Sequence, residues 1–333
     1  MPVLPVTVVA LMLAASPVTA APKSTAQGAT PKTVPPKPVV VERFAYVSDG
    51  LSIQAVTCRP DRQAGRPLLN LVHGGLSSPV DLKVCERFAR LGYVVAASGL
   101  RGQAGSAGRV EACIGEANDV LTLRRIAQDR YRTDARRVAY LGVSLGGCIA
   151  VKAAARDRDV RATVALLTPV NLAEQLDLLR STRPDAVPRW EAILGRTPQA
   201  AREGAERRSP VVDARVLTSP LLVVAAGNDP LIPVRQSCLL RDARVAAGKR
   251  VVEIRQTRDG LAAQPDARPS RRCDNEQPQS DLPSLRGADV HLVYTDLAHT
   301  STPRMWNVAE AYLKANIDPP TPWECFLRFL RLR

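Results

Sequence analysis

The 333-residue chain is poor in aromatic side chains, which make up 4% of it, and it holds only three histidines, His73, His291 and His299. Few aromatics leave little on which nucleic-acid bases could stack. The formal net charge is +14, but the basic residues, mostly arginine, are spread along the chain without a dense run, so no nucleic-acid partner is expected. Three histidines confine any imidazole proton transfer to three positions. The seven cysteines, Cys58, Cys85, Cys113, Cys148, Cys238, Cys273 and Cys325, lack the close paired spacing of zinc or thiol-redox sites. Beyond the first residues there is no apolar run long enough to cross a bilayer. What is present, 45% hydrophobic and 23% charged residues, is the composition of a folded globular protein.

Residues 1–21 form an apolar stretch of secretory size ending in Val18-Thr19-Ala20 before Ala21, read as a cleaved export signal. The start of the chain carries no Lys or Arg, so an uncleaved anchor is the alternative; after cleavage no stable membrane span is expected. The implied location is secreted or periplasmic, where cysteines pair. Cys85 with Cys113 and Cys238 with Cys273 are the expected pairs, each joining segments predicted to be neighbours, and Cys148 reads as a buried thiol. An odd count leaves at least one cysteine over.

Residues 22–38, rich in Pro, Ala, Thr and Lys, read as a linker. The folded domain is expected over 39–318, and residues 319–333 form a tail. In that tail Trp323, Phe326, Phe329 and several leucines alternate with three arginines, a composition that suits packing across the domain or contact with an anionic membrane surface. Segments 41–47 and 51–58 flank Ser48-Asp49-Gly50, a hairpin signal. Thereafter short apolar runs at 67–72, 93–97, 137–143, 160–166, 220–226 and 290–294 alternate with helical patterns at 81–91, 115–130, 145–156, 234–247 and 303–316. Such alternation predicts an α/β fold, a doubly wound and mostly parallel sheet whose strands are buried on both faces. Two stretches interrupt it. Residues 168–215 are helix-prone but broken by prolines, a small helical insertion suited to a lid; residues 256–287 are too polar for core and read as a surface excursion.

Gly142-Val143-Ser144-Leu145-Gly146 is a G-x-S-x-G placed between a predicted strand and a predicted helix. At so sharp a turn the nucleophile's backbone is strained and its neighbours must be small. Other motifs follow in order: His73-Gly74-Gly75 and Arg101-Gly102 after earlier strands, Gly227-Asn228-Asp229 after a later one, and Ala298-His299 after the last. With these in place the region from about 41 to 316 resembles the α/β-hydrolase superfamily, in particular its dienelactone-hydrolase-like and prolyl-oligopeptidase-like branches. Dienelactone hydrolases carry cysteine at the elbow where this chain has Ser144, so that activity is not implied.

A serine hydroxyl needs a base. His299, in a polar loop after the last strand, is preferred to His291, which lies in an apolar strand pattern and reads as structural. Asp229 is the candidate for orienting the imidazole, in the Ser-Asp-His order that the resemblance implies, with Asp296 as the alternative. The resemblance further implies an oxyanion hole made by the N–H of Leu145 and a second N–H from the His-Gly-Gly loop, that of Gly75 or its neighbour Leu76. The expected activity is that of an exported serine hydrolase, cleaving a carboxylic ester in a small-molecule or peptide acyl substrate through an acyl-enzyme. Neither cofactor nor metal is needed for that chemistry. A peptidase of the prolyl-oligopeptidase type, or a non-catalytic binding protein on the same scaffold, are the other readings.

Overall fold

A computed structural model describes residues 38–62, 64–264, 273 and 285–318. The leader, the linker apart from Pro38, the tail with Cys325, and most of the 256–287 excursion lie outside the described residues. The first two strands, β1 (Val39–Ser48) and β2 (Leu51–Pro60), pair antiparallel from end to end. Asp49 and Gly50 make the two-residue connection, both at positive φ, which suits the twist of a tight hairpin.

From there the chain alternates. β3 (Leu68–Val72), α1 (Leu82–Arg90), β4 (Val94–Ser98), α2 (Gly115–Tyr131), β5 (Val138–Val143), α3 (Leu145–Ala155) and β6 (Val160–Leu166) are followed by four helices, α4 (Leu172–Thr182), α5 (Val187–Leu194), α6 (Pro198–Arg208) and α7 (Val211–Val216). Then come β7 (Leu221–Ala226), α8 (Val234–Ala246), β8 (Val251–Gln256), β9 (Asp289–Tyr294) and α9 (Pro303–Ile317). The nine described strands form one sheet in the order β1-β2-β4-β3-β5-β6-β7-β9-β8, and every pairing from β4 onward is parallel. The strands β3, β4, β7 and β9 are buried at every position, and the polar residues within them, Asn70, Ser98, Asp289 and His291, are buried with hydrogen-bond partners.

Helices cover both faces. One core gathers α2, α3, α8 and the four-helix insertion over Leu68, Val94, Val138 and Leu221; the other gathers α1 and α9 over Leu69, Val95, Leu141 and Leu292. This division corrects the expected cysteine pairing. Cys85 on α1 bonds Cys58 on β2 on one face, whereas Cys113 bonds Cys148 on α3 on the other. A Cys85–Cys113 bond would have to pass through the sheet. Cys148 is therefore half of a disulfide and not a buried thiol, while Cys238 pairs with Cys273 as expected.

The strand β8 was absent from the expected set. Its sequence, VVEIRQ, puts Glu253 and Arg255 in the middle of the run, yet both are buried. Glu253 accepts from or shares a proton with His291 Nδ1 on β9 at 2.7 Å, and His291 Nε2 meets Ser237 Oγ at 2.8 Å. Burial by itself would raise the Glu253 carboxyl, but His291, Arg241 and Arg255 outweigh it and hold the group below its usual range. His291 is thus a structural histidine tied to an edge strand.

Arg244, 1% exposed, is the largest fully buried side chain among the described residues. Its guanidinium donates to both oxygens of Asp289 and to the carbonyls of Ala214, Leu217 and Ser219, joining α8 to the end of the helical insertion and the start of β9. Arg244→Leu leaves Asp289 buried without its cation and is expected to cost roughly 3–5 kcal/mol of stability. Urea unfolding monitored by circular dichroism measures the loss.

Candidate active site

The strand register places the site. β3 and β5 are adjacent and aligned, Val72 opposite Gly142, so the loop after β3 (residues 73–81) leaves the sheet beside the turn after β5. β7 and β9 are also adjacent, Ala226 opposite Tyr294, which sets the Asp229 loop beside the His299 loop. Here Gly227 N–H donates to Tyr294 O at 2.7 Å and Asn228 N–H to Leu297 O at 2.8 Å, fixing the two loops to one another. Two further strands, β6 and β7, separate β5 from β9. At ~4.8 Å per strand the axes are roughly 14 Å apart, so residues 295–302 must lean back across the sheet edge to reach the turn after β5.

Ser144 sits at φ 53° and ψ −128°, outside the regions that side-chain-bearing residues favour, and caps the N-terminus of α3. Its N–H donates to Leu166 O at 2.7 Å, which pins the turn to β6. The flanking glycines answer to close packing. A Cβ on Gly142 would overlap the Gly146 carbonyl, and a Cβ on Gly146 would overlap the carbonyls of Val72 and His73. The elbow is therefore pressed against its own helix on one side and against the end of β3 on the other.

The three polar side chains singled out from the sequence meet. His299 Nε2 lies 3.2 Å from Ser144 Oγ, and His299 Nδ1 lies 2.6 Å from Asp229 Oδ2. The other oxygen of Asp229, Oδ1, accepts the N–H groups of Leu231 and Ile232 at 2.8 and 2.9 Å, so the carboxylate cannot swing. The Asp229 side chain is fully buried and the imidazole about one-fifth exposed. Such a chain lets the imidazole take a proton from the hydroxyl while the carboxylate holds its tautomer and supports the imidazolium. Asp296, the alternative partner, is not brought to His299; it accepts the backbone N–H and guanidinium of Arg258 at 2.7 and 2.9 Å.

Leu145 is the first residue of α3, where an N–H has no helical acceptor. Across from it Gly75 takes φ +78° in the loop after β3. His73, buried at the start of that loop, makes a 3.0 Å contact from Nδ1 to Gly74 O, and burial holds its pKa below the ordinary value, so it stays neutral near pH 7. Arg101, singled out as part of a motif, is not in the site: it is buried against Asp119, Asp49 and Glu111 and braces the loop after β4.

Ser144 and His299 open on a cavity of about 510 Å³ whose walls include Val80, Val84, Leu231 and Trp306. Sequence reasoning did not find these walls. Trp306 carried the only available signal, as a rare aromatic seven residues past His299 at the start of a helix. Among the described residues no Lys or Arg lines the cavity, and apart from the histidines the ionisable wall residue there is Asp81, the N-cap of α1. Among the described residues no cluster of three or more His, Cys, Asp or Glu is arranged to hold a metal ion.

The sequence model of the prolyl oligopeptidase family matches residues 81–260. A protein of Bacillus subtilis (strain 168) called uncharacterized peptidase YtmA is 21% identical over 210 residues, which cover 62% of this chain and 80% of that one. Among solved structures, an acylaminoacyl peptidase of Pyrococcus horikoshii superposes with a TM-score of 0.59 at 16% identity, over 88% of this chain but only 41% of its own. The Pyrococcus furiosus esterase PF2001 superposes with a TM-score of 0.58 at 14% identity, over 84% of this chain and 92% of its own. At these identities the structures show a shared α/β-hydrolase fold.

The elbow predicts its own sensitivity. Gly146→Ala is expected to lower hydrolytic turnover about a hundredfold, because the added Cβ has no room against the Val72 and His73 carbonyls unless the turn at Ser144 moves by about 1 Å. Gly248→Ala, in an open surface turn at φ +73°, is expected to cost about 1 kcal/mol of stability without touching the elbow, and serves as the control for backbone strain in the same assay.

Proposed function

Since the chain belongs to the prolyl oligopeptidase family and is a serine hydrolase, we propose that it is an exported carboxylic-ester hydrolase using Ser144 as nucleophile, His299 as general base and Asp229 as the orienting acid. The observation that carries this reading is the continuous hydrogen-bonded chain from Asp229 through His299 to Ser144, at the mouth of a largely apolar cavity. Ser144 Oγ attacks the acyl carbonyl carbon as His299 Nε2 takes the hydroxyl proton. The carbonyl π electrons move to oxygen, and the N–H of Leu145 with that of Gly75 or Leu76 receives the charge. His299 then returns the proton to the departing alcohol. Water attacks the acyl-enzyme by the same route, freeing the acid and restoring Ser144.

Export rests on the apolar leader at 1–21 and agrees with three disulfides, which persist in oxidising compartments. The helical insertion α4–α7 is read as a cap beside the site. Arg189 on α5 donates to the carbonyl of Leu76 in the loop after β3, a contact that would tie the cap to the oxyanion loop. Peptide cleavage is the second reading. It is favoured by the family's character and by Asp81, a carboxylate at the cavity wall able to meet a cationic group on a peptide.

A fluorophosphonate probe is expected to label the protein, and Ser144→Ala to abolish labelling; a folded wild-type protein that resists the probe would overturn the catalytic reading. Asp229→Asn is expected to lower kcat by roughly 10⁴-fold with little change in KM. Hydrolysis of p-nitrophenyl esters against peptidyl p-nitroanilides decides the substrate class, with faster ester turnover expected.

A further inference from the structure

The strand register carries one line of side chains across the face on which α1 and α9 pack. Arg43 on β1 stands opposite Val56 on β2, Val56 opposite Ala97 on β4, Ala97 opposite Leu71 on β3, and Leu71 opposite Leu141 on β5. Val56, Ala97, Leu71 and Leu141 pack in the core under α1 and α9, so the alignment puts Arg43 on that face as well, at its outer end. Leu71 is also a wall of the cavity at Ser144. A second cavity, of about 380 Å³, lies at the Arg43 end of the line, with Gln54, Val56, Leu82 and Gly99 among its walls. Pro79 and Val80 are walls of both, so the two cavities abut at the loop after β3.

The two cavities differ in charge. The first has Asp81 in its wall, with Oδ1 accepting the N–H groups of Lys83 and Val84 at 2.9 and 3.2 Å. In the second, Arg43 is the ionisable wall residue among those described, and it stands exposed without an ion pair among them. Its neighbour Glu42 is taken by Arg130 and by the hydroxyl of Tyr131. The chemistry decides which part of a substrate points toward Arg43. His299 must hand its proton to the departing oxygen, so the leaving group lies on the side from which His299 comes, that of β7 and β9. The acyl group is then directed the opposite way, past β3 toward β4, β2 and β1, which is the side of the second cavity.

From this placement we infer that the site selects acyl groups whose far end carries a carboxylate, with Arg43 as the residue that recognises it. The inference rests on Ser144, His299 and Asp229 acting as proposed above, and it holds for an ester or an amide. A guanidinium matches a single carboxylate with two parallel hydrogen bonds, and Val56, Val80 and Leu82 suit the methylenes that lead to it. Four strand spacings, about 19 Å, separate β1 from β5. The arginine side chain closes part of that distance, and the rest matches about four extended residues or an alkyl chain of similar length. A carboxylate close to the scissile carbonyl instead meets Asp81 and no cation. The preference therefore depends on length as well as charge. Because Arg43 lies away from the reacting atoms, its contact is the same in bound substrate and transition state, and it acts on KM rather than kcat.

The test compares the p-nitrophenyl monoesters of dodecanedioic and succinic acid, each with the same ester whose free carboxyl is methylated. At low salt the long monoester is expected to exceed its methylated partner about fivefold in kcat/KM, through KM, and the short monoester to fall below its own partner. Arg43→Gln is expected to abolish the long-chain preference and Arg43→Glu to reverse it. Arg250→Gln, at the entry to β8 on the opposite edge of the sheet, is expected to keep the wild-type ratio. Taking the ratio within each protein cancels any difference in folded fraction. Added salt is expected to erase the preference, since exposed charges are screened. The corresponding p-nitroanilides give the same comparison if amides are the faster substrates. Equal turnover of the long pair, or a preference that survives Arg43→Glu, overturns the inference and leaves the catalytic reading standing. Hydrolysis of neither series overturns the catalytic reading and this inference with it.

Discussion

The strained backbone at Ser144 is the constraint around which the rest of the molecule is arranged. A residue with a side chain held at φ 53° and ψ −128° costs on the order of 1–3 kcal/mol, and it persists only when its surroundings leave no alternative. Those surroundings are specific. The Ser144 N–H is anchored on β6, Gly142 and Gly146 let the elbow close onto α3 and β3, and α3 itself is buried along most of its length. Cys148, one turn into α3, is bonded to Cys113 in the loop that leads into α2. The position of Ser144 is thus fixed by packing in every direction but the one that faces the cavity.

A rigidly held Ser144 needs its hydrogen-bond partners to come to it, and the topology decides how far they travel. The loop after β3 is a neighbour by register, so the proposed second oxyanion donor comes with the strand order. The imidazole must bridge two intervening strands, and two devices hold it. Backbone hydrogen bonds join residues 227–228 to the chain around 294–297, and Asp229 is immobilised by Leu231 and Ile232 before it meets His299. Asp229 before Pro230 therefore serves as a turn aspartate through one oxygen and as the histidine's partner through the other.

How much of this could be read from the sequence depends on where each signal lies. Local signals were legible: continuous apolar runs gave six strands of the parallel sheet, Asp49-Gly50 gave the hairpin, and G-x-S-x-G between strand and helix marked the elbow. The meeting of Ser144, Asp229 and His299 was legible too, because in a parallel sheet residues just past strand ends share an edge. What failed was long-range. β8 was missed because Glu253 and Arg255 look like surface residues until His291 and Arg241 are packed beside them. The Cys85–Cys113 pairing failed because the sequence orders helices along the chain without saying which face of the sheet each one covers. The cavity walls at Val80, Val84 and Trp306 belong to α1 and α9 and their approaches, segments far apart in the chain that meet only when both pack on one face.

The distribution of charge joins the chemistry to the fold. Attack by Ser144 would leave a positive imidazolium at His299, so any fixed cation nearby opposes the step. A guanidinium 8 Å away, at an effective dielectric of about 20, raises that state by roughly 2 kcal/mol, enough to slow the reaction about thirtyfold. In a chain with 46 Lys and Arg against 32 Asp and Glu, random placement would put several cations at the mouth of the site. Four of the six outgoing loops carry none; in the other two, among the described residues, Arg101 and Arg258 are held by carboxylates, and exposed Arg109 is not among the residues that line the cavity. A basic chain and a base catalyst conflict only at short range, and among the described residues the cavity at Ser144 and His299 has no lysine or arginine in its walls.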